Sequence, residues 1–594
     1  SPDLNADGTI NLLVKINGTA LPDTTQVLRI RVDTAINRIP RAEISLIDGD
    51  MAAQEFSSSD SALFNPGGKI EISAGYDQKL QTIFSGLILG QRLEIRENNL
   101  CLLTLDCRDP AIAMTAGRKN ANFVDKKDSD IASKLIGAYA GLSAAVSATT
   151  TQWKEIVQYY CSDWDFLLSR AEANGFVVFV DGGKVNFAAP KAAATPCLTV
   201  TYGQDLRSFD ANLEARDQYS KVTATAWDIK NQAIVQGSAT PQGLAACGNL
   251  SAKTLADVLK LSDYKLQTCT ALDSTALKDW ATGQQVKSEL SQLRGSASFQ
   301  GSALPKLGST LGIAGLPKHF NGTVYISGIE QEIGEGNWWT RVTFGLSPTW
   351  HAEARALETP PAAGLVPGVE GLQIGVVKKL SNDPDGQLRI QVSIPLLQAE
   401  TDGVWARLMQ FHATKDQGAF FVPEIGDEVV LGYFNNDPSA PVILGSLYSS
   451  GRKMPYAISD ENNYKKAITT KSGLKIEYDD EKKVMTLITP AKNQIVISDD
   501  GKSILLQDQN SNKVKLFSGG ISLDSPKDIT LTAQGNIALT ATGKVAIKAT
   551  QDATMQGMNV THTAQVGFTG KGSATAEVSA SGQTTIKGAM VMIN

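Results

Sequence analysis

The chain has 594 residues, a formal net charge of −6 and a charged fraction of 20%. This length allows several domains, each with its own buried core. The slightly acidic balance lacks the basic excess that attracts nucleic-acid backbones, so we expect no nucleic-acid partner. Six cysteines lie in the first half without a C-x-x-C pair, which predicts reduced thiols.

The amino-terminal stretch Ser1 to Ile10 is polar and acidic, without the basic and then apolar run of a secretory signal. No later stretch approaches the ~18 consecutive apolar residues of a membrane-spanning helix. The sequence therefore predicts a protein that is made and kept in the cytoplasm unless a machine exports it.

Short alternating runs of apolar and polar residues fill residues 1–110. Leu12 to Ile16 and Leu100 to Leu105 show the period-2 pattern of half-buried strands, and turn signals such as Pro66-Gly67-Gly68 separate the runs. This block predicts a first β-barrel or sandwich.

Residues 111–195 change to a mixture of helix and strand, an α+β insertion. Ser129 is predicted to cap a first helix, and Ser162 a second one that carries Asp163 and Asp165 in its first turn. The second helix is predicted to end at Asn174-Gly175 and to be followed by a hairpin.

Strand patterns return after the insertion in two further blocks. Residues 196–352 predict a second β-barrel with a helical interlude, and the Pro- and Gly-rich residues 353–368 predict a linker. Residues 369–450 hold about five short apolar runs, which suit a small Greek-key barrel of the oligonucleotide/oligosaccharide-binding (OB) type. A second short linker is predicted at 451–465.

The last block, residues 466–594, carries an apolar repeat with a period of eight residues. Each copy has two apolar side chains separated by one polar or small residue, as a strand with one buried face requires, and then turn-forming residues. The pairs are Ile521/Leu523, Ile529/Leu531, Ile537/Leu539, Val545/Ile547 and Ala553/Met555. Upstream of them, looser β-runs recur at intervals near ten.

Two large apolar side chains per strand are too few for one chain to close a core around itself. The buried face must therefore be shared with other copies, and three chains winding together would provide it. The block predicts a rigid homotrimeric needle, an intertwined β-helix or β-prism. The predicted trimer-core residues are Ile521, Leu523, Ile529, Leu531, Ile537, Leu539, Val545 and Ile547.

The polar residues show no spacing typical of a catalytic, metal or cofactor site. The four histidines lie far apart in sequence, and no G-x-S-x-G motif occurs. His562 could meet its symmetry mates on the needle axis, but an outward, solvated side chain is favoured. Asp163 and Asp165 could be paired carboxylates, but their position favours helix capping. We expect neither an enzyme nor a cofactor or metal.

Two strings of the sequence resemble signatures of a known family. One runs from Ser162 to Leu168 and on through Ala171 to Gly175, and the other from Phe421 to Tyr433 and on through Asp437 to Tyr448. With the needle repeat, they resemble the VgrG-type spike, the trimeric hub-and-needle protein of type VI secretion, related contractile injection systems and phage tails. The resemblance covers essentially the whole chain.

This resemblance implies a mainly β, multidomain architecture: a tube-like hub of two barrels with a small α+β insertion, an OB-fold and the needle. Three chains would match a hexameric tube protein and the baseplate. The needle end would carry a PAAR-repeat tip protein and effector cargo, and would cross a target membrane transiently after ejection. Assembly is expected in the bacterial cytoplasm, before ejection to the extracellular space or the target cell. The docking surface for the tip protein would be Met590, Val591, Met592, Ile593 and Asn594.

Three alternative functions remain open from the sequence. The first is a phage tail hub or spike, although Ser449 to Lys465 is too short for the lysozyme domain that some phage relatives insert there. The second is a carbohydrate-binding fibrous adhesin, and the third is a tail-associated peptidoglycan hydrolase with its active site in the hub.

Overall fold

A computed structural model describes residues 9–77, 79–97, 100–191, 195–244, 246–354, 357–397 and 403–593 of the chain. The chain divides into two compact units, residues 1–446 and 447–594. Strands predominate in the first unit, which also contains a closed five-stranded barrel, and form an open sheet in the second. The predicted mainly β, multidomain fold class is confirmed.

Residues 10–354 contain most of the regular structure of the first unit. Its strands are β1 (Ile10–Ile16), β2 (Thr19–Ala20), β3 (Val27–Ala35), β4 (Arg41–Asp48), β5 (Lys69–Tyr76), β6 (Gln81–Ile95), β7 (Cys101–Arg108), β8 (Lys119–Lys127), β9 (Ser143–Val146), β10 (Gln152–Cys161), β11 (Val177–Asp181), β12 (Lys184–Ala188), β13 (Leu198–Thr201), β14 (Leu206–Leu213), β15 (Val222–Asp228), β16 (Ala233–Ala239), β17 (Ala246–Cys247), β18 (Tyr264–Thr268), β19 (Leu293–Gln300), β20 (Thr310–Ala314), β21 (Gly322–Gly334) and β22 (Asn337–Phe344). The α-helices are α1 (Asp128–Gly137), α2 (Asp163–Ala173), α3 (Ala252–Leu259), α4 (Ser274–Ser291) and α5 (His351–Ala354). Among the residues that the structure describes, no helix combines the length and the apolar character needed to cross a membrane.

One 14-stranded sheet joins the two predicted barrel blocks. Its main path is β14-β19-β22-β21-β3-β4-β7-β6-β5-β1-β2, so the antiparallel pair β21 and β3 connects the halves. Arg29 with Glu332 and Arg31 with Glu330 form ion pairs of 2.7 and 3.1 Å across this junction. Because side chains alternate along each strand, the opposite face can carry apolar cores. One such core lies in each half.

The α+β insertion follows the predicted order, with one correction at its first helix. That helix begins at Asp128 and not after a cap at Ser129. The Asp130 carboxylate accepts from the Lys127 amide at 3.1 Å, and the Ser129 amide donates to Thr149 Oγ1 at 3.1 Å. Ser129 therefore lies inside the first turn, because Asp130 and Thr149 already satisfy the amides at the helix start.

Helix α2 begins and ends as its sequence predicts. Ser162 has extended backbone angles, and its Oγ accepts from the Asp165 amide at 3.1 Å. The helix ends at Ala173, followed by Gly175 with φ of +68°, a left-handed conformation that glycine adopts without steric cost. Strands β11 and β12 then form the predicted hairpin.

Replacing Ser162 with alanine is expected to destabilise α2 by about 1 kcal/mol, because the Asp165 amide loses its side-chain acceptor. Hydrogen exchange of the first-turn amides of α2 measures this change. Ser169→Ala is the matched control, since its hydroxyl only donates to the Asp165 carbonyl within the helix, at 2.9 Å. Equal exchange in the two variants would contradict the capping role.

The small barrel predicted within residues 369–450 is confirmed as a closed five-stranded barrel. Its strands are β23 (Gln373–Lys379), β24 (Ile390–Ser393), β25 (Val404–Leu408), β28 (Glu428–Tyr433) and β29 (Pro441–Ser446), and a hairpin of β26 (Ala413–Thr414) and β27 (Gln417–Gly418) is inserted between β25 and β28. The order β23-β24-β25-β29-β28 closes around a core that includes Val392, Val429 and Leu431.

The second unit contains a seven-stranded antiparallel meander, in which each strand pairs with the next. The strands are β30 (Lys465–Thr469), β31 (Lys475–Asp479), β32 (Val484–Ile488), β33 (Gln494–Ser498), β34 (Ser503–Gln507), β35 (Lys513–Phe517) and β36 (Gly520–Asp524). Residues 525–593 are described but form no strand. The octad strands predicted from Ile529 onward are therefore not strands in the single chain, which offers their backbone groups no neighbouring strand there.

Candidate interaction surfaces

The meander β30–β36 has one almost entirely apolar face. Its register places two rows of side chains on this face, and thirteen of the fourteen side chains are apolar. The rows are Ile468-Ile476-Leu487-Ile495-Leu506-Val514-Leu523 and Lys466-Tyr478-Met485-Ile497-Ile504-Leu516-Ile521. We call this surface the apolar face. Its one cation, Lys466, pairs with Asp480.

The opposite face of the meander is mixed and largely polar. Its central row runs Ala467-Glu477-Thr486-Val496-Leu505-Lys515-Ser522. Glu477 accepts from Lys465 at 2.9 Å and from the hydroxyl of Tyr456. These partners lower the pKa of Glu477, the Tyr456 hydrogen bond contributing most. The meander is thus amphipathic, with one side suited to water.

Nothing in the second unit covers the apolar face. Within residues 447–593, all of which the structure describes, no residue is buried. Ile495 and Ile497 are each 40% exposed, and Leu523 is 57% exposed. Contiguous exposed apolar surface of this extent marks a site of association.

The predicted trimer-core residues fall into two groups. Ile521 and Leu523 lie on the apolar face in β36. The others lie beyond the last strand with exposed side chains, and their assignment stays a prediction: Ile529, Leu531, Ile537, Leu539, Val545 and Ile547. The sequence reasoning did not assign the equivalent residues of β30–β35 to a site, although alternation in runs spaced near ten carried that signal.

The predicted docking residues for a tip protein lie at the end of the described chain. Met590, Val591, Met592 and Ile593 are exposed, and Asn594 lies outside the described residues. This assignment also stays a prediction.

A second candidate site surrounds helix α2, the first of the two signature strings. Asp128, whose side chain is fully buried, accepts two hydrogen bonds from Arg170, at 2.7 and 2.9 Å. It accepts two more from Trp153 Nε1 at 2.9 Å and Asn174 Nδ2 at 2.8 Å. Four donors to one carboxylate tie α1, α2 and β10 together, and a buried charge needs such partners.

The two aspartates at the start of α2 are both acceptors within the fold. Asp163 accepts from Lys119 at 2.7 Å, Tyr139 at 2.6 Å and Gln158 at 2.8 Å. Burial alone would raise the pKa of Asp163, but these hydrogen bonds outweigh burial and lower it. Asp165 accepts from the Ser162 hydroxyl at 2.5 Å and lies 3.0 Å from His351 Nε2.

Helix α2 also contacts the chain segment that follows β22, the last strand of the large sheet. Glu172 accepts from Lys287 Nζ at 2.6 Å and from the His351 amide at 2.7 Å. Farther along, Arg118 donates to the Glu358 carbonyl at 2.9 Å. Glu358, in the predicted linker, is therefore held against the insertion. Among the described residues, no group of three or more histidine, cysteine, aspartate or glutamate side chains is placed to hold a metal ion.

Comparison with known families gives two matches. Residues 6–335 match the family described as the Alg8 N-terminal domain. Residues 373–448, which include the small barrel, match the type VI secretion system/phage-baseplate injector OB domain.

Individual relatives include two spike proteins of Pseudomonas aeruginosa. Type VI secretion system spike protein VgrG1b is 23% identical over 59% of this chain and 49% of its own length. Spike protein VgrG1a is 21% identical over 57% of this chain and 54% of its own length. The chain thus spans about half the length of these curated relatives. A 43 kDa tail protein of prophage MuSo2 from Shewanella oneidensis aligns with a TM-score of 0.44 and 10% identity, covering 57% of this chain and 99% of that protein.

Proposed function

The chain belongs to the family of the Alg8 N-terminal domain and is a VgrG-type spike protein, and from this premise we propose that it forms the homotrimeric central spike of a contractile injection machine. The observation that carries the proposal is the apolar face in a region, residues 447–593, where no described residue is buried. The proposed role is mechanical: the spike joins a propelled tube to a needle.

Burial of the apolar face favours the association of several copies. Full burial of one large aliphatic side chain contributes about 1.5–3 kcal/mol, and each chain offers thirteen apolar side chains there. Three meanders with their apolar faces turned toward a common axis would bury all of them and leave the polar faces in water. The sheet edges would then be used in assembly and not left open to aggregation.

Residues 525–593 would gain their strand partners in the same assembly. The octads beyond β36 form no strand in the single chain, and strands of two neighbouring copies can satisfy their backbone groups. The side chains from Ile529 to Ile547 would then enter the shared core. This places the proposed trimer core along both halves of the needle.

The remaining partners follow from the family. The large sheet and its insertion would form the hub that meets the hexameric tube protein and the baseplate. The end of the needle, with Met590 to Ile593, would carry a PAAR-repeat tip protein and effectors across a target membrane. The spike would assemble in the bacterial cytoplasm and leave with the tube. A phage tail hub is the second candidate, because the OB domain family includes phage baseplates.

The mass of the purified protein in solution tests this proposal. Light scattering is expected to give three times 63.3 kDa, or about 190 kDa, for the 594-residue chain. A truncation ending at Gly451 removes the meander and the octads, and its trimer is expected to weaken or dissociate. A stable full-length monomer would overturn the trimeric spike.

A further inference from the structure

A cleft of about 290 Å³ lies over the junction of the two halves of the large sheet. Its floor is formed by directly paired residues of β21 and β3, Ile329 with Thr34 and Gln331 with Val32. Side chains alternate along each strand, so these residues lie on the face opposite the ion pairs of the junction. The hairpin β11–β12 forms one wall, and residues 303–307, in the loop between β19 and β20, form another. The volume is at the lower end of the range for small-molecule sites.

The hairpin β11–β12 divides its side chains between two faces. One face packs into the core of the insertion, with Val178, Val180, Val185 and Phe187. On the other face, Phe179 lies opposite Asn186, and Asp181 lies opposite Lys184 at the turn. These last four residues all line the cleft. The wall therefore presents an aromatic ring and an amide, and beyond them two charged side chains that are exposed to solvent.

Hydrogen bonds hold the hairpin in place at both ends. At its start, the Val178 amide donates to Asn37 Oδ1 at 2.9 Å, and the Asn37 amide donates to the Val178 carbonyl at 2.7 Å. At its turn, the Gly183 amide donates to the buried Asp109 carboxylate at 2.9 Å. Because both ends are anchored, the hairpin cannot settle onto the sheet. The cleft is therefore preformed, as small-molecule sites usually are.

The cleft combines an apolar interior with a basic rim. Half-buried apolar side chains from three elements line it, those of Ile83, Phe179 and Leu307. Lys184 and Lys306 line it with exposed side chains, and their ammonium groups have no ion-pair or hydrogen-bond partner in the described part of the chain. Asp181 is the one carboxylate among the described lining residues, so two cations and one anion leave a net charge of +1.

We propose that this cleft binds a small monocarboxylate with an apolar body, such as a medium-chain fatty acid. The apolar body would cover Phe179 and Leu307, and its removal from water would supply most of the affinity. The carboxylate would lie at the rim, where the flexible stems of Lys184 and Lys306 let both ammonium groups reach it. Asp181 and the net charge of +1 favour a single negative charge over a phosphate dianion. Every lining residue belongs to one chain, so this inference does not depend on the proposed trimer.

Photolabelling of the 594-residue protein tests the site. The probe is an octanoate with a diazirine in its chain, and mass spectrometry of the digested protein locates the label. We expect label on peptides that contain Ile83, Phe179 or Leu307, and loss of most of this label when unmodified octanoate is in excess. Label confined to the apolar face of the meander would overturn the inference. Equal labelling of the cleft by the uncharged octanamide probe would also overturn it, because the lysines would then have no role.

Two lysine substitutions separate the charge of the rim from the apolar interior. Lys184→Gln combined with Lys306→Gln is expected to lower the labelling of the cleft about threefold to tenfold, since two exposed charge pairs are lost. The matched control removes two exposed lysines outside the cleft, Lys230→Gln with Lys318→Gln, and is expected to keep the labelling of the parent protein. All four side chains are exposed, so both variants are expected to unfold at the parent temperature. Unchanged labelling in the Lys184/Lys306 variant would contradict the proposed site.

Discussion

Replacing Ile495 with aspartate is expected to dissociate the proposed trimer into single chains. Ile495 lies in the middle of the apolar face, between Leu487 and Leu506 on the neighbouring strands. In the proposed trimer, the substitution would place three carboxylates in an apolar interior near the axis. An unpaired buried charge costs several kcal/mol, and three of them exceed what local rearrangement can offset. Light scattering reports the change as a fall from the mass of three chains to that of one.

The neighbouring residue provides the matched control. Gln494 lies next to Ile495 in the same strand but on the opposite face, across from Gln507. Gln494→Asp introduces the same charge where water can solvate it, so the trimer is expected to persist. A trimeric Ile495→Asp variant with the thermal stability of the parent protein would show that the apolar face is not the shared core.

Replacing Asp128 with alanine is expected to destabilise the α+β insertion by about 3–5 kcal/mol. The change leaves the Arg170 guanidinium, 15% exposed, without its bidentate partner, and the Trp153 and Asn174 donors without an acceptor. Because a chain of several domains need not unfold in one step, the local free energy of opening is the quantity to measure, from hydrogen exchange of the α1 and α2 amides.

A surface ion pair in the same subdomain is the control for Asp128. Asp125 pairs with Lys154 at 3.0 Å, but both side chains are largely exposed, so Asp125→Ala is expected to change the opening free energy by less than about 1 kcal/mol. Similar effects of the two substitutions would contradict a special role for the buried carboxylate.

Local signals allowed the sequence to predict the elements around α2 and the small barrel. The cap at Ser162, the stop at Asn174-Gly175 and the five strands of the barrel each depend on residues within about a dozen positions. The start of the first helix was predicted wrongly, because Ser129 lies between two aspartates that can also occupy the helix start. The hydroxyl that accepts from the Ser129 amide belongs to Thr149, which lies 20 residues away in sequence.

The cluster around α2 could not be predicted, because its partners are distant in sequence. Asp128 and Arg170 are 42 residues apart, and Asp165 and His351 are 186 residues apart. No periodicity links such pairs, and a histidine alone gives no sign of the carboxylate that it meets. For the predicted needle, the octads indicated which side chains would share one face. Strand pairing could not be predicted in the same way, because it depends on neighbours that a single chain does not supply.

No side chain within residues 447–593 is buried in the single chain. The stability of this region therefore depends on protein concentration. In the proposed trimer, this region gains a core only through association, so its stability and trimerisation are linked in one equilibrium of third order in chains. Tenfold dilution lowers the free energy of assembly by about 2.7 kcal/mol per trimer, since two independent encounters are each weakened by a factor of ten. In a cell, the proposed trimer would therefore form most reliably where newly synthesised chains emerge close together.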